Sequence, residues 1–149
     1  MVIFMDQNMK RSIILEHYSN PKNKGLIDDD SYIKTDTNNE SCIDEIHLMV
    51  KIDNGKIVDA RFDGEACAIC TSSTSIMIDT LQGKTIKQAK EIIQTFIGMI
   101  KREITDEEEL KKLEDAIAFR NISNMPARVK CALLAWHTME DILNKNENK

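Results

Sequence analysis

Four cysteines and one aspartate are the residues of this chain whose types and spacing could support metal or sulfur chemistry. Cys42 and Asp44 lie two positions apart, Cys67 and Cys70 lie three apart, and Cys131 follows much later in the chain. Three thiolates and a carboxylate suit a tetrahedral zinc site. The same soft ligands suit an iron–sulfur cluster, which a carboxylate ligand would make more labile. The pattern therefore indicates a metal or cluster site if folding brings these residues together.

Two other chemical interpretations stay open at this level. Cys67-Ala68-Ile69-Cys70 has the spacing of a redox dithiol at the start of a helix, as in a dithiol oxidoreductase. However, the chain lacks the βαβ pattern that a thioredoxin-like fold requires. Zinc could also do no more than stabilise a small interaction module. Each cysteine taken singly, Cys70 above all, is most simply interpreted as a small packed core residue.

A predicted β-hairpin decides which of these residues can meet. Apolar and polar residues alternate over His47–Ile52 and Lys56–Asp63, and Asp53-Asn54-Gly55 between them is typical of a turn. A three-residue loop with glycine in the left-handed conformation makes one face of the hairpin wholly apolar. The predicted pairs are Ile52 with Lys56, Val50 with Val58, Leu48 with Ala60 and Ile46 with Phe62.

Extending this register backwards brings three of the candidate ligands together. Asp44 falls opposite Gly64, and Cys42 falls opposite Ala66, which precedes Cys67. Cys42 and Asp44 share a face because side chains alternate along an extended segment. The hairpin therefore predicts that these three groups meet at one end of the sheet, near the start of a helix.

The remainder of the chain is predicted to be helical. Strands followed by helices are typical of an α+β fold. We expect a small antiparallel sheet of about three strands packed against five or so helices. Cys131 falls in the first turns of the last helix, just after Arg128 and Lys130, and both a helix N-terminus and neighbouring cations favour a thiolate. The predicted helices are Met9–Tyr18, Cys67–Gln82, Thr85–Ile97, a helix that a capping box at Thr105-Asp106-Glu107-Glu108 opens, and a last helix that starts near Pro126.

Length, composition and charge narrow the class of protein. The 149 residues predict one domain over 1–149. A net charge of −5, with only 4 Phe, 2 Tyr and 1 Trp, disfavours nucleic-acid binding. The longest uncharged stretch, Ala66–Ile78, is too short to cross a bilayer, and we expect no membrane association. No secretory signal is evident, so we expect a cytoplasmic protein with reduced thiols rather than disulfides.

The three histidines are not predicted to be ligands. We expect His17 to cap a helix or lie on the surface, and His137 to lie on a helix surface. His47 points away from the apolar side of its strand.

Four motifs, in order, give the chain a resemblance to the NifU/IscU iron–sulfur cluster assembly scaffolds. Within that family the chain resembles the SufU subgroup for two reasons. Lys130 stands where IscU proteins carry a histidine, and the interval from Cys67 to Cys131 is longer than in IscU, which indicates one added helix near Thr105–Ile117. Ala66 replaces the family's usual glycine, Cys70 replaces a residue that is usually serine, and Met125-Pro126-Ala127-Arg128 replaces the Leu-Pro-Pro-Val-Lys chaperone motif of IscU. The four motifs are His17-Tyr18-x-Asn20-Pro21-x-Asn23-x-Gly25, Cys42-x-Asp44, Gly64-Glu65-Ala66-Cys67 and Arg128-Val129-Lys130-Cys131-Ala132.

The resemblance implies a function and a ligand set. SufU-like proteins hold zinc on three cysteines and an aspartate, accept persulfide sulfur from a pyridoxal-phosphate-dependent cysteine desulfurase of the SufS type, and serve apo iron–sulfur proteins. Carried over by motif, the ligands of Zn²⁺, or of a transient 2Fe–2S cluster, are Cys42, Asp44, Cys67 and Cys131. Cys42 is implied to be the persulfide acceptor, and Arg128 would support the negatively charged site. Cys70 is an extra thiol that could resolve a persulfide, substitute as a ligand or fill space in the core. Whether such a protein counts as an enzyme is left open, since it acts as an accessory to the desulfurase.

Overall fold

A computed structural model of the chain describes residues 6–21, 23–38 and 45–146. It is an α+β structure, as predicted, with one three-stranded antiparallel sheet in the order β1-β2-β3. The elements in chain order are α1 (Gln7–Ser19), β1 (Ile33–Asn38), β2 (Glu45–Asp53), β3 (Lys56–Asp63), α2 (Ala68–Leu81), α3 (Ile86–Ile100), α4 (Glu107–Leu110), a 3₁₀ segment (Lys111–Asn124) and α5 (Pro126–Lys145).

The hairpin between β2 and β3 forms as predicted, but the predicted register is wrong. Asp53 pairs with Lys56 and Ile52 pairs with Ile57, so the loop has two residues rather than three. Beyond a bulge between Lys51 and Ile52 the pairing shifts by one residue. The remaining pairs are Lys51 with Asp59, Val50 with Ala60, Met49 with Arg61, Leu48 with Phe62 and His47 with Asp63.

Backbone geometry explains why the two-residue loop is preferred. Asn54 and Gly55 have φ values of 53° and 74°, the combination that a type I′ turn requires and that suits the twist of a hairpin. Without a bulge this loop would set apolar side chains opposite charged ones. The extra residue in β3, Val58, is left 41% exposed, while Ile57 and Ala60 stay buried. The bulge therefore restores the apolar face that the three-residue loop was expected to produce.

The predicted helices are confirmed, with two corrections near the middle of the chain. Asp106, not Thr105, caps α4, since its side chain accepts a hydrogen bond from the Glu108 backbone N–H. The helix that was predicted to continue from there is instead a single α-helical turn followed by the 3₁₀ segment. Glu114 interrupts this segment with φ 52° and ψ −125°, outside the helical region.

Helix α2 lies in the core, and its hydroxyl groups make that position possible. Residues 70–78 are all buried, including an uninterrupted run of serine and threonine over 71–75. Ser72 and Thr74 donate to the carbonyl oxygens of Ala68 and Cys70, four residues back. These bonds satisfy the hydroxyls inside the helix, so the low helix propensity of the run does not prevent burial. The apolar face of the sheet and helices α2, α3 and α5 share one hydrophobic core.

The segment after α1 is hydrogen-bonded to β3. Asn23 accepts a hydrogen bond at its backbone oxygen from the Phe62 N–H, and its amide nitrogen donates to the oxygen of Ala60. Gly25 in turn donates its N–H to the oxygen of Phe62 at 2.7 Å. Two residues of the N-terminal motif therefore have structural partners. Among the described residues, no helix is both long and apolar enough to cross a membrane.

Candidate metal and sulfur site

Glu45, the first residue of β2, lies against the residues that precede Cys67. The backbone N–H of Glu45 donates to the oxygen of Glu65 at 2.8 Å, which continues the observed register by two residues beyond β3. The predicted register would place Glu45 opposite Asp63, so it is off by two residues at this point. Asp44 and Cys42 themselves lie outside the described residues, so their predicted role as ligands stays a prediction.

Gly64 makes this close approach possible. Its φ is +133°, and a Cβ built on it would lie 2.1 Å from the backbone oxygen of Glu45. An L-residue would therefore be strained in its own backbone and would collide with β2. Glycine at this position lets the start of β2 pass directly beside the chain that leads to Cys67.

Cys67 is the N-cap of α2 and is partly exposed. Its backbone is extended, with φ −67° and ψ 168°, and its Sγ accepts a hydrogen bond from the Cys70 N–H at 3.5 Å. A sulfur at this place faces backbone N–H groups at the positive end of a helix. The position suits a soft metal ion or a nucleophilic sulfur.

Cys131 lies on a helix that is hydrogen-bonded to α2. Helix α5 starts with Pro126 in its first turn, and Cys131, 1% exposed, lies one turn further on. The carbonyl oxygen of the next residue, Ala132, accepts a hydrogen bond from Ser73 Oγ at 2.6 Å. The packing therefore brings the helix that carries Cys131 against the helix that Cys67 caps. Arg128 is exposed in the first turn of α5, and its supporting role stays a prediction.

The described thiols do not form a metal site without further ligands. Among residues 6–21, 23–38 and 45–146, the ligand-type atoms that lie within 4.8 Å of one another in a group of three belong to His17, Asp79 and Asp115. The cysteines make no such group there. The described cysteines are donors of the kind that zinc takes, and the two remaining predicted ligands, Cys42 and Asp44, lie outside the described residues.

The histidines differ from expectation at one position. His17 was expected at a cap or on the surface, but it is only 5% exposed and its Nδ1 lies 2.7 Å from Ser75 Oγ. The prediction failed because the partner lies 58 positions away in the sequence. His137 is exposed, as predicted. A hydrogen bond to Asp36 raises the pKa of His47, whose Nδ1 lies 2.6 Å from Oδ1 of that residue.

Comparison with known proteins decides the family. The model of the NifU-like N-terminal domain matches residues 9–149. The chain belongs to the NifU-like N-terminal domain family. It is 38% identical over 138 residues to the zinc-dependent sulfurtransferase SufU of Bacillus subtilis, which covers 92% of this chain and 90% of that protein. It is 35% identical over 137 residues to the iron–sulfur cluster assembly scaffold protein IscU of Thermotoga maritima, with 92% and 94% covered.

A solved structure supports the same assignment. The putative iron–sulfur cluster assembly scaffold protein for the SUF system from Fervidobacterium islandicum superposes on this chain with a TM-score of 0.80 at 36% identity. The match covers 88% of this chain and 93% of that chain. The NifU-like fold that the motifs implied is thereby confirmed.

Cys70 occupies a packed position in this NifU-like domain. It is 0% exposed and belongs to the hydrophobic core, and the described sheet is antiparallel throughout, without the βαβ unit of thioredoxin-like oxidoreductases. A thiol with no exposed surface cannot meet a disulfide substrate. The dithiol oxidoreductase interpretation is therefore disfavoured.

Replacing Cys70 tests this assignment. We expect Cys70→Ala to lower the free energy of unfolding by about 1 kcal/mol, through loss of one buried sulfur's contacts, and to leave sulfur acceptance unchanged. Urea unfolding and a sulfur-acceptance assay measure the two effects. Cys67→Ala, at the exposed end of the same turn, is the matched variant and should lose acceptance. Retained stability together with lost acceptance in Cys70→Ala would contradict the packing role.

Proposed function

We propose that this protein is a sulfur-accepting scaffold for iron–sulfur cluster assembly, acting in the cytoplasm as one domain over residues 1–149. Its metal site would comprise Cys42, Asp44, Cys67 and Cys131. The observation that carries the proposal is the placement of two of these sulfurs: Cys67 caps α2, and Cys131 lies on the helix bonded to α2. The names of the SufU and IscU relatives support it.

The proposed partner is a pyridoxal-phosphate-dependent cysteine desulfurase of the SufS type. The thiolate of Cys42 attacks the outer sulfur of the desulfurase persulfide. A new sulfur–sulfur bond forms on Cys42, the old one breaks, and the desulfurase cysteine leaves as a thiolate, so no external oxidant or reductant is needed. The persulfide sulfur is then available for cluster assembly and for delivery to apo iron–sulfur proteins.

Burial supports Cys42 as the acceptor. Cys131 and Cys70 are buried in the core, so a partner's persulfide cannot reach them in this structure. Cys67 is partly exposed, but its Sγ caps α2. Zinc, when bound by this donor set, would hold the sulfurs as thiolates. A 2Fe–2S cluster on the same residues would be cargo rather than a resident cofactor.

The test is a persulfide-transfer assay with the purified full-length chain. The protein is incubated with a SufS-type desulfurase and cysteine, alkylated, and analysed by peptide mass spectrometry, while metal content is measured under reducing conditions. We expect persulfide on Cys42, stimulation of the desulfurase, and about one zinc or iron per chain.

Matched variants separate the alternatives. Cys42→Ala should abolish acceptance while retaining the fold, whereas Cys70→Ala should retain both. If Cys42→Ala unfolds the chain and the wild-type protein accepts no sulfur, the metal serves only as a structural stabiliser. A wild-type chain that binds neither metal nor sulfur would overturn the proposal.

A further inference from the structure

A second group of metal-ligand side chains lies where three helical elements meet. His17 comes from α1, Asp79 from α2 and Asp115 from the 3₁₀ segment. One ligand-type atom of each lies within 4.8 Å of the other two. Neighbouring donors around a single ion are about 3–4 Å apart when each metal–ligand bond is about 2.1 Å. The three groups therefore need only small side-chain adjustments to share one ion.

The histidine of this group is oriented by the helix it packs on. Its ring is 95% buried, given an exposed fraction of 5%, and Nδ1 lies 2.7 Å from Ser75 Oγ. Ser75 and Asp79 lie one turn apart on α2, so both face the same side. A hydrogen bond from one ring nitrogen to a protein oxygen is the usual arrangement around a metal-bound histidine, because it fixes the tautomer and the ring plane. Nδ1 is engaged by Ser75, and the ring lies within reach of both carboxylates.

The two carboxylates supply charge and access. Asp79 and Asp115 are both exposed, so a hydrated ion can reach them from solvent. Asp115 directly follows Glu114, whose left-handed φ of 52° interrupts the 3₁₀ segment. Two carboxylates so close together repel each other, and a bound cation would remove that repulsion.

We propose that His17, Asp79 and Asp115 form a binding site for a divalent first-row metal ion, separate from the cysteine site. One imidazole nitrogen and two carboxylate oxygens suit Mn²⁺, Fe²⁺ or Zn²⁺, with water filling the remaining positions. Asp79 lies twelve positions after Cys67 on the same helix, which is about 18 Å along its axis. An ion held there cannot share ligands with the thiols, and it would join α1, α2 and the 3₁₀ segment.

Manganese is the probe that tests this site, because Mn²⁺ prefers oxygen and nitrogen donors to thiolates. The full-length reduced protein is titrated with Mn²⁺, and free ion is followed by electron paramagnetic resonance. We expect one ion per chain. Asp79→Asn and Asp115→Asn keep the side-chain shape at exposed positions and should each weaken binding about tenfold or more.

Two control variants make the result specific. Asp141→Asn, an exposed carboxylate on α5, should bind Mn²⁺ like the wild type, and so should Cys67→Ser. The Cys67 variant separates this site from the proposed sulfur site, whose failure would leave Mn²⁺ binding intact. Unchanged affinity in both Asp79→Asn and Asp115→Asn overturns the proposal, as does a wild-type chain that binds no Mn²⁺ at millimolar concentration.

Discussion

Replacing Gly64 with alanine is expected to lower the free energy of unfolding by about 3–5 kcal/mol. The added Cβ would lie 2.1 Å from the Glu45 oxygen, and the φ of +133° is one that L-residues rarely adopt. Relief requires β2 to move away from the strand that leads into Cys67. Because Asp44 directly precedes Glu45, we also expect the variant to lose bound metal. Urea unfolding followed by circular dichroism, together with metal analysis, measures both effects.

Gly25 provides the matched control for this experiment. It has a comparable φ of +113°, but a Cβ there would meet nothing within 4 Å. Gly25→Ala should therefore show only the backbone strain, about 1–3 kcal/mol, and should keep its metal. Equal losses in the two variants would show that the collision with Glu45 contributes nothing.

Replacing Trp136 with alanine is expected to cost about 3–5 kcal/mol, a large part of the stability of a typical domain. The indole is 0% exposed and stacks on Phe96 with ring centroids 3.9 Å apart and an angle of 8° between the rings. Its Nε1 donates to Ser73 Oγ at 2.9 Å, and that hydroxyl donates onward to the oxygen of Ala132. The substitution removes both the packing and the hydrogen bond that hold α5 against α2. Circular dichroism follows unfolding, since this is the only tryptophan in the chain.

A double-mutant cycle separates the hydrogen bond from the packing. Trp136→Phe keeps an aromatic ring beside Phe96 and should cost about 1–2 kcal/mol, while Ser73→Ala leaves the indole N–H without this acceptor and should cost about 1–3 kcal/mol. We expect the double variant to lose less than the sum, because each single change already breaks the same bond. If the losses in unfolding free energy of the two single variants simply add in the double variant, a hydrogen bond shared by Trp136 and Ser73 is contradicted.

Periodic patterns were sufficient to predict α1, α2, α3 and α5. Ile86, Ala89, Ile93, Phe96 and Ile97 recur at helical spacing over Thr85–Ile97, and all five are buried in α3. Pro126 was expected to start the last helix, and α5 begins there. These features are local, because the spacing of apolar side chains and the residues at helix ends depend on only a few neighbouring positions. Neighbouring residues in the sequence are therefore enough to identify them.

The hairpin shows where local patterns stop being sufficient. Alternation predicted two strands joined by a three-residue loop over Asp53-Asn54-Gly55; both strands are present, but the loop has two residues, Asn54 and Gly55. The register depends on a bulge at Val58. The alternation of apolar and polar residues does not predict where such an extra residue is inserted. The alignment of β2 with the approach to Cys67 shifted as a result. The family motifs still identified the candidate ligands, because they depend on residue identity and order rather than on register.

The amino-acid sequence alone determined the α+β class, the positions of α1, α2, α3 and α5, the family and the candidate ligands Cys42, Asp44, Cys67 and Cys131. Only the tertiary structure decided that Cys70 is buried, that Ser73 joins α2 to α5, and that His17, Asp79 and Asp115 meet. Each of these depends on groups tens of residues apart, whose approach is set by the packing of whole helices. Side-chain identity specifies what chemistry a residue can do, whereas helix packing specifies which residues can do it together.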